Sequence, residues 1–131
     1  MIVAVDASAI VAIALFEAER SAFLQRLRDA DEALMTPINV TEAGLAIVLR
    51  QNLFGLDEFA NWLSEMGVVQ RSVAGEEALR AYMQYGRGVH RAGLNLGDCF
   101  AYALAKQLDA PLLYKGNDFA LTDVRSALQP T

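Results

Sequence analysis

Four acidic side chains stand where the pattern of the chain changes. Asp6 follows the apolar run Met1 to Val5, and Glu42 lies early in the helical run that begins at Thr36-Pro37. Asp98 sits in Asn95-Leu96-Gly97-Asp98, and Asp118 follows Leu112 to Tyr114 and the turn Gly116-Asn117. In a right-handed α/β sheet, strand ends and the starts of the following helices share one edge, so these carboxylates are placed to converge. Converged carboxylates repel, by roughly 4 kcal/mol per pair at about 4 Å and an effective dielectric of about 20. Such a cluster requires protons or a cation. Oxygen-only donors select a hard ion, Mg²⁺ or Mn²⁺, over zinc, which wants His or Cys ligands; the chain offers only His90 and Cys99. A divalent ion in an acidic cleft lowers the pKa of a water, orients a phosphate and shields developing charge, which is phosphoryl chemistry. Each acid taken alone has a plainer reading. Asp6 and Asp98 can cap helices, Glu42 can be a solvated helix residue, and Asp118 a turn residue.

The elements that must position these acids follow from periodicity. The spacing predicts a first strand over Met1 to Val5, a short apolar helix over Ala9 to Leu15, and an amphipathic helix over Glu19 to Asp29 with Phe23, Leu24 and Leu27 on one side. Ala33 to Met35 reads as the second strand. Thr36-Pro37 then starts a helix that runs through Glu42, Leu45, Val48 and Leu49. Leu56 to Glu65 is a helix with Phe59, Trp62 and Leu63 inward, and Val68 to Arg71 is a third strand. Ala74 to Tyr85 is a helix with Ala78, Leu79, Tyr82 and Met83 inward, followed by the glycine-rich basic loop Gly86 to Gly93. Asn95 caps the next helix, with Asp98 close to capping-box spacing. Asp109-Ala110-Pro111 breaks that helix before the fourth strand. A short turn from Leu121 to Leu128 and a frayed end complete the chain. Strands alternating with helices give a three-layer α/β/α sandwich with a mostly parallel central sheet, in a single domain over 1–131.

Composition narrows the setting. Apolar residues make up 54% of 131 residues, which excludes a disordered chain. The single cysteine permits no internal disulfide and suits a reducing cytoplasm. Ala9 to Phe16 is too short to span a bilayer, so no membrane attachment is expected. The net charge of −5 opposes a nucleic-acid partner unless a local basic rim or a bound cation reverses the field. Arg87, His90, Arg91 and Lys115 are the residues for such a rim, or else parts of an ordinary solvated surface; His90 is also a candidate general acid. Cys99 reads as an inert helix thiol. Phe54, Phe59 and Trp62 read as core, with an apolar patch for a partner as the alternative.

Three segments carry a resemblance: VDASAIVAI at the start, TPINVTEAGLAIVLR in the first third, and YGRGVHRAGLNLGDCFAYALAKQLDAPLLYKGNDFALTDV near the end. They resemble the PIN-domain ribonucleases and, among these, the VapC-type toxins of bacterial toxin–antitoxin pairs. The resemblance implies a PIN-like fold and cleavage of RNA dependent on Mg²⁺ or Mn²⁺, usually in structured RNA such as tRNA or rRNA, leaving a 5′-phosphate and a 3′-hydroxyl. It implies a homodimer silenced by a small VapB-like antitoxin. Carried onto this chain, the principal metal acids are Asp6 and Asp98, with Ser8 the supporting hydroxyl. Glu42 and Asp118 complete the pocket and hold a second ion or water, and Asp123 is the alternative fourth acid. A PIN-like scaffold with little catalysis, acting through partner contacts, is the competing expectation. Other classes fit less well. A phosphatase would carry Asp-x-Asp where the chain reads Asp6-Ala7-Ser8, and the Gly86-x-Gly88 pair follows a helix rather than the strand a dinucleotide site needs.

Overall fold

The computed structural model describes residues 1–128; the frayed end expected beyond Leu128 lies outside the described residues. The order of elements is β1 (Ile2–Val5), α1 (Ala7–Ala14), α2 (Arg20–Asp29), β2 (Glu32–Met35), α3 (Pro37–Gly44), α4 (Leu56–Glu65), β3 (Val68–Gln70), α5 (Gly75–Tyr85), α6 (Leu96–Leu108) and β4 (Leu112–Leu113). The four strands form one parallel sheet in the order β3-β2-β1-β4. The chain steps outward from β1 to β3, then crosses back to lay β4 on the far side of β1. That reversal puts a crevice beyond the carboxyl ends of β1 and β4, where α/β sheets collect ligands.

Period-two alternation decides the layers. Val3, Val5, Ala33, Met35 and Leu113 face a core built with Ile10, Ile13, Phe23, Ile47 and Phe59. Ala4, Leu34 and Leu112 face the opposite core, built with Ala78, Ala81, Leu94, Tyr102 and Leu104. The three-layer α/β/α sandwich with a parallel sheet is therefore the observed architecture.

The structure departs from the expected pattern in four places. The helix from Thr36-Pro37 does continue past Gly44, but Leu45–Arg50 is wound as a π-helix, with the Gln51 amide donating to the Ala46 carbonyl at 2.9 Å. Ile47 is the buried residue of that turn, while Leu49 is 71% exposed. On α5, Leu79 and Met83 point outward at 60% and 69% exposure, and Ala78 and Ala81 take the inner face. Small residues win there because α5 packs closely on α6, a contact that leucine would wedge open. Of the aromatic trio, Phe59 is core, whereas Trp62 and Phe54 are half-buried and stack on each other with ring centroids 5.2 Å apart. Apolar side chains left exposed nearby include Leu45, Leu49 and Leu56, which line a groove of about 410 Å³ together with Phe59. Lastly, Leu121 to Leu128 is more than a turn. The Leu112 amide donates to the Arg125 carbonyl at 2.8 Å and the Ala127 amide to the Leu112 carbonyl at 2.9 Å, so this segment runs along the open edge of β4.

Candidate active site

Asp6 ends β1 and caps α1. Its Oδ2 accepts from the Ser8 amide at 3.0 Å and from the Ser8 hydroxyl at 2.6 Å. Ser8 Oγ in turn accepts from the Lys115 amide at 3.0 Å, which ties the loop after β4 to the end of β1. The whole Asp6 side chain is 4% exposed, and its Oδ1 is buried with no hydrogen-bond partner. Burial raises its pKa to about 6, against the lowering effect of the Ser8 bonds and with help from the charge of Glu42.

Asp98 is the third residue of α6 and closes a reciprocal cap. Its Oδ2 accepts from the Asn95 amide at 3.0 Å, and Asn95 Oδ1 accepts from the Asp98 amide at 2.8 Å. Burial again raises its pKa to about 6; the Asn95 bond opposes this, the charges of Asp6 and Asp118 add to it, and Arg87 lowers it. Glu42, on α3, is half-buried. Its pKa is raised by burial and by Asp98, and lowered by the amide of Asn39. Asp118 is exposed, just past the left-handed turn at Gly116 (φ 103°), near enough to load Asp98 with its charge. Asp123 lies in different company: Oδ1 accepts from the Tyr102 hydroxyl at 2.5 Å and Oδ2 pairs with Lys106 at 3.1 Å.

The four acids thus share one electrostatic neighbourhood at the sheet's carboxyl edge. Asp6 and Asp98 cap their helices and still feel each other's charge, so a capping role does not exclude a shared site. Among the described residues no three acidic, histidine or cysteine side chains are gathered closely enough to enclose an ion. The residues nonetheless suit a hard dication: the donors are all oxygen, and a buried carboxylate oxygen of Asp6 lacks a partner.

The basic residues divide. Among the described residues Arg87 and Arg91 form no ion pair, and both are exposed. Lys115 does not fit a free basic rim, because its ammonium is drawn to Glu17 at 3.0 Å and Glu19 at 3.4 Å, which raises its pKa. His90 is bound into its loop: Nδ1 accepts from the Ala92 amide at 3.0 Å and the ring stands edge-on to Tyr85 at 5.0 Å. That loop is itself hydrogen-bonded, with Arg87 N to Leu94 O at 3.0 Å and Leu94 N to Tyr85 O at 3.1 Å. Cys99 is fully buried and its thiol is pushed up to about 11, an inert group.

Two contributors were missed from sequence. Asn39 is fully buried and bonds Glu42, and Gly97 lies so close to the Glu42 carboxylate that a Cβ there would fall on it. The available signals were an Asn inside a helix, a position it normally disfavours, and a Gly in a first turn where alanine would be better.

A PIN-domain family model matches residues 3–124. The chain is 40% identical over 123 residues to a ribonuclease VapC of Mycolicibacterium smegmatis, covering 92% of this chain and 95% of that one. It is 38% identical over 129 residues to ribonuclease VapC30 of Mycobacterium tuberculosis, covering 96% and 98%. Among solved structures, VapC20 of Mycobacterium tuberculosis, described as a Sarcin-Ricin loop cleaving toxin, superposes with a TM-score of 0.73 at 12% identity, over 93% of this chain and 95% of that one.

Proposed function

The chain belongs to the PIN-domain family, among the VapC ribonuclease toxins, and from that premise we propose that Asp6, Glu42, Asp98 and Asp118 are its catalytic centre. As an endoribonuclease of a divalent-metal-dependent family, it would use Mg²⁺ or Mn²⁺ held chiefly by Asp6 and Asp98, with Glu42 and Asp118 completing the pocket. The ion would supply charge stabilisation at the phosphate and an acidified water.

The protein's own groups supply position. The observation that carries the reading is the buried Asp6 carboxylate, whose Oδ1 has no hydrogen-bond partner and whose charge is felt together with those of Glu42 and Asp98. Ser8 holds Oδ2 from two donors and so fixes which oxygen remains for a cation. The Asn95 bond does the same for Asp98. Arg87, close enough to influence Asp98, and Arg91 would draw the RNA backbone toward the acids against the net charge of −5. His90 and the amide of Lys115 shape the rim rather than carry the chemistry.

Because Asp6 is recessed, the scissile phosphate must reach inward, which favours a bulged or looped strand over a rigid duplex. Structured RNA such as tRNA or rRNA, in its single-stranded loops, is accordingly the substrate we assign. Partners would be a VapB-like antitoxin, whose basic segments the acidic surface suits, and a second copy of this chain. The site of action would be the cytoplasm; no helix among the described residues is long and apolar enough to cross a membrane.

The test is the purified protein, freed of antitoxin, on a labelled tRNA and rRNA pool. Cleavage is expected with Mg²⁺ or Mn²⁺, lost with chelator, and abolished by Asp98→Asn, which removes charge at nearly constant volume. Full activity in that variant, or in chelator, overturns the assigned metal centre; no cleavage with any divalent ion leaves the scaffold reading.

A further inference from the structure

The side chain of Asn39 is fully buried yet lies one helical turn from Glu42. Its Nδ2 donates to Glu42 Oε1 at 2.9 Å and to the Gly97 carbonyl at 3.0 Å, using both of its hydrogens. Its Oδ1 accepts from the Thr36 hydroxyl at 2.6 Å, and Thr36 Oγ1 accepts from the Asn39 amide at 3.1 Å. The orientation of the side-chain amide is forced: reversed, its carbonyl would face a carboxylate and a carbonyl. Gly97, one residue before Asp98, completes the arrangement, since only a residue without Cβ leaves room for the Glu42 carboxylate.

We infer that Asn39 is a positioning residue for the reaction: it orients the Glu42 carboxylate and locks α3 to the start of α6, so that Glu42 and Asp98 face the bound ion at a fixed separation. This rests on the reading of the acids as a metal centre. Thr36 holds Asn39, Asn39 holds Glu42 and Gly97, and Gly97 carries Asp98 on the next peptide. A side chain that touches neither ion nor substrate thereby sets how two of the acids meet the ion. Hydrogen-bond partners of this kind commonly carry 10- to 100-fold in metal affinity.

The experiment is a calorimetric Mn²⁺ titration of the toxin freed of antitoxin, beside circular dichroism and thermal melting to establish the fold. Two substitutions are made: Asn39→Asp, which turns both donors into an acceptor, and Asn39→Ser, smaller and uncharged, which covers the case in which the added charge prevents folding. A folded variant is expected to bind Mn²⁺ about tenfold more weakly or worse. In a Glu42→Ala background the same substitution is expected to cost clearly less Mn²⁺ affinity, since only the route through Gly97 and Asp98 remains, although its cost in melting temperature persists. A folded Asn39 variant with the parental affinity overturns the inference. So does an equal loss in the Glu42→Ala background, because the effect would then pass through the fold and not through Glu42. Mn²⁺ binding indifferent to both Asp6→Asn and Glu42→Ala sinks the metal-centre reading itself, and this inference with it.

Discussion

At the scale of single residues, the protonation of Asp6 ties fold to function. Its pKa rises from the ordinary 3.8 to about 6, with burial the largest cause. The folded state then binds more protons than the unfolded state between those values, so this residue makes stability fall as pH rises through the window. Above about 6 the cost is complete. Asp6→Asn keeps a good helix cap and removes the charge. In ion-free protein, its melting temperature should therefore gain on the parent's as pH rises from about 4 to about 6, and the gap should level off beyond. Adding Mn²⁺ at neutral pH should close the gap by stabilising the parent. A gap that does not change with pH would show that the Asp6 charge carries no folding cost. The sequence announced Asp6 and Asp98 because strand ends and capping boxes have signatures. It hid Asn39, since a buried amide is recognisable only once its partners from other elements are in place.

At the scale of elements, the start of α6 is where helix chemistry and site chemistry share atoms. Asn95→Ala removes one half of the reciprocal cap and should cost about 1 kcal/mol in chemical denaturation. The Asp98 carboxylate keeps its bond from the backbone amide of residue 95, so activity should fall only as far as the start of α6 frays. Gly97→Ala should cost about 1–3 kcal/mol through overpacking, and activity with it, since the new methyl falls where Glu42 sits. A Gly97→Ala variant with parental stability would mean that Glu42 moves aside freely. Helix boundaries around these residues were legible: Thr36-Pro37 and Asn95 mark them with capping chemistry. Faces were less legible. On α5 the apolar residues recur on two adjacent faces, and periodicity alone cannot tell which one meets a partner helix; Ala78 and Ala81 win because close approach favours small side chains. The π-turn at Leu45–Arg50 leaves no mark in local propensity either, because it is a matter of hydrogen-bond register.

At the scale of the whole molecule, a chain of net charge −5 must still meet RNA. Arg87→Ala combined with Arg91→Ala should weaken RNA binding at low salt and reduce the slope of log affinity against log salt by about 2, one for each lost phosphate contact. An unchanged slope would assign the loop a purely structural role. Lys115→Ala should leave that slope nearly intact, because its charge is already spent on Glu17 and Glu19. The parallel sheet was expected from alternation, whereas the strand order β3-β2-β1-β4 came only with the structure. The sharing of one edge by four distant acids followed from handedness rather than from any local signal.

The strand that carries the Ser8-bonded loop is only two residues long, and Arg125 to Ala127 brace its outer side. Genetics can read that brace. When the toxin gene is induced without its antidote, survivors should include nonsense and frameshift alleles just downstream of the Asp123 codon, although every acid of the pocket is still encoded. Such late truncations would disarm the enzyme by unfastening one margin of its scaffold.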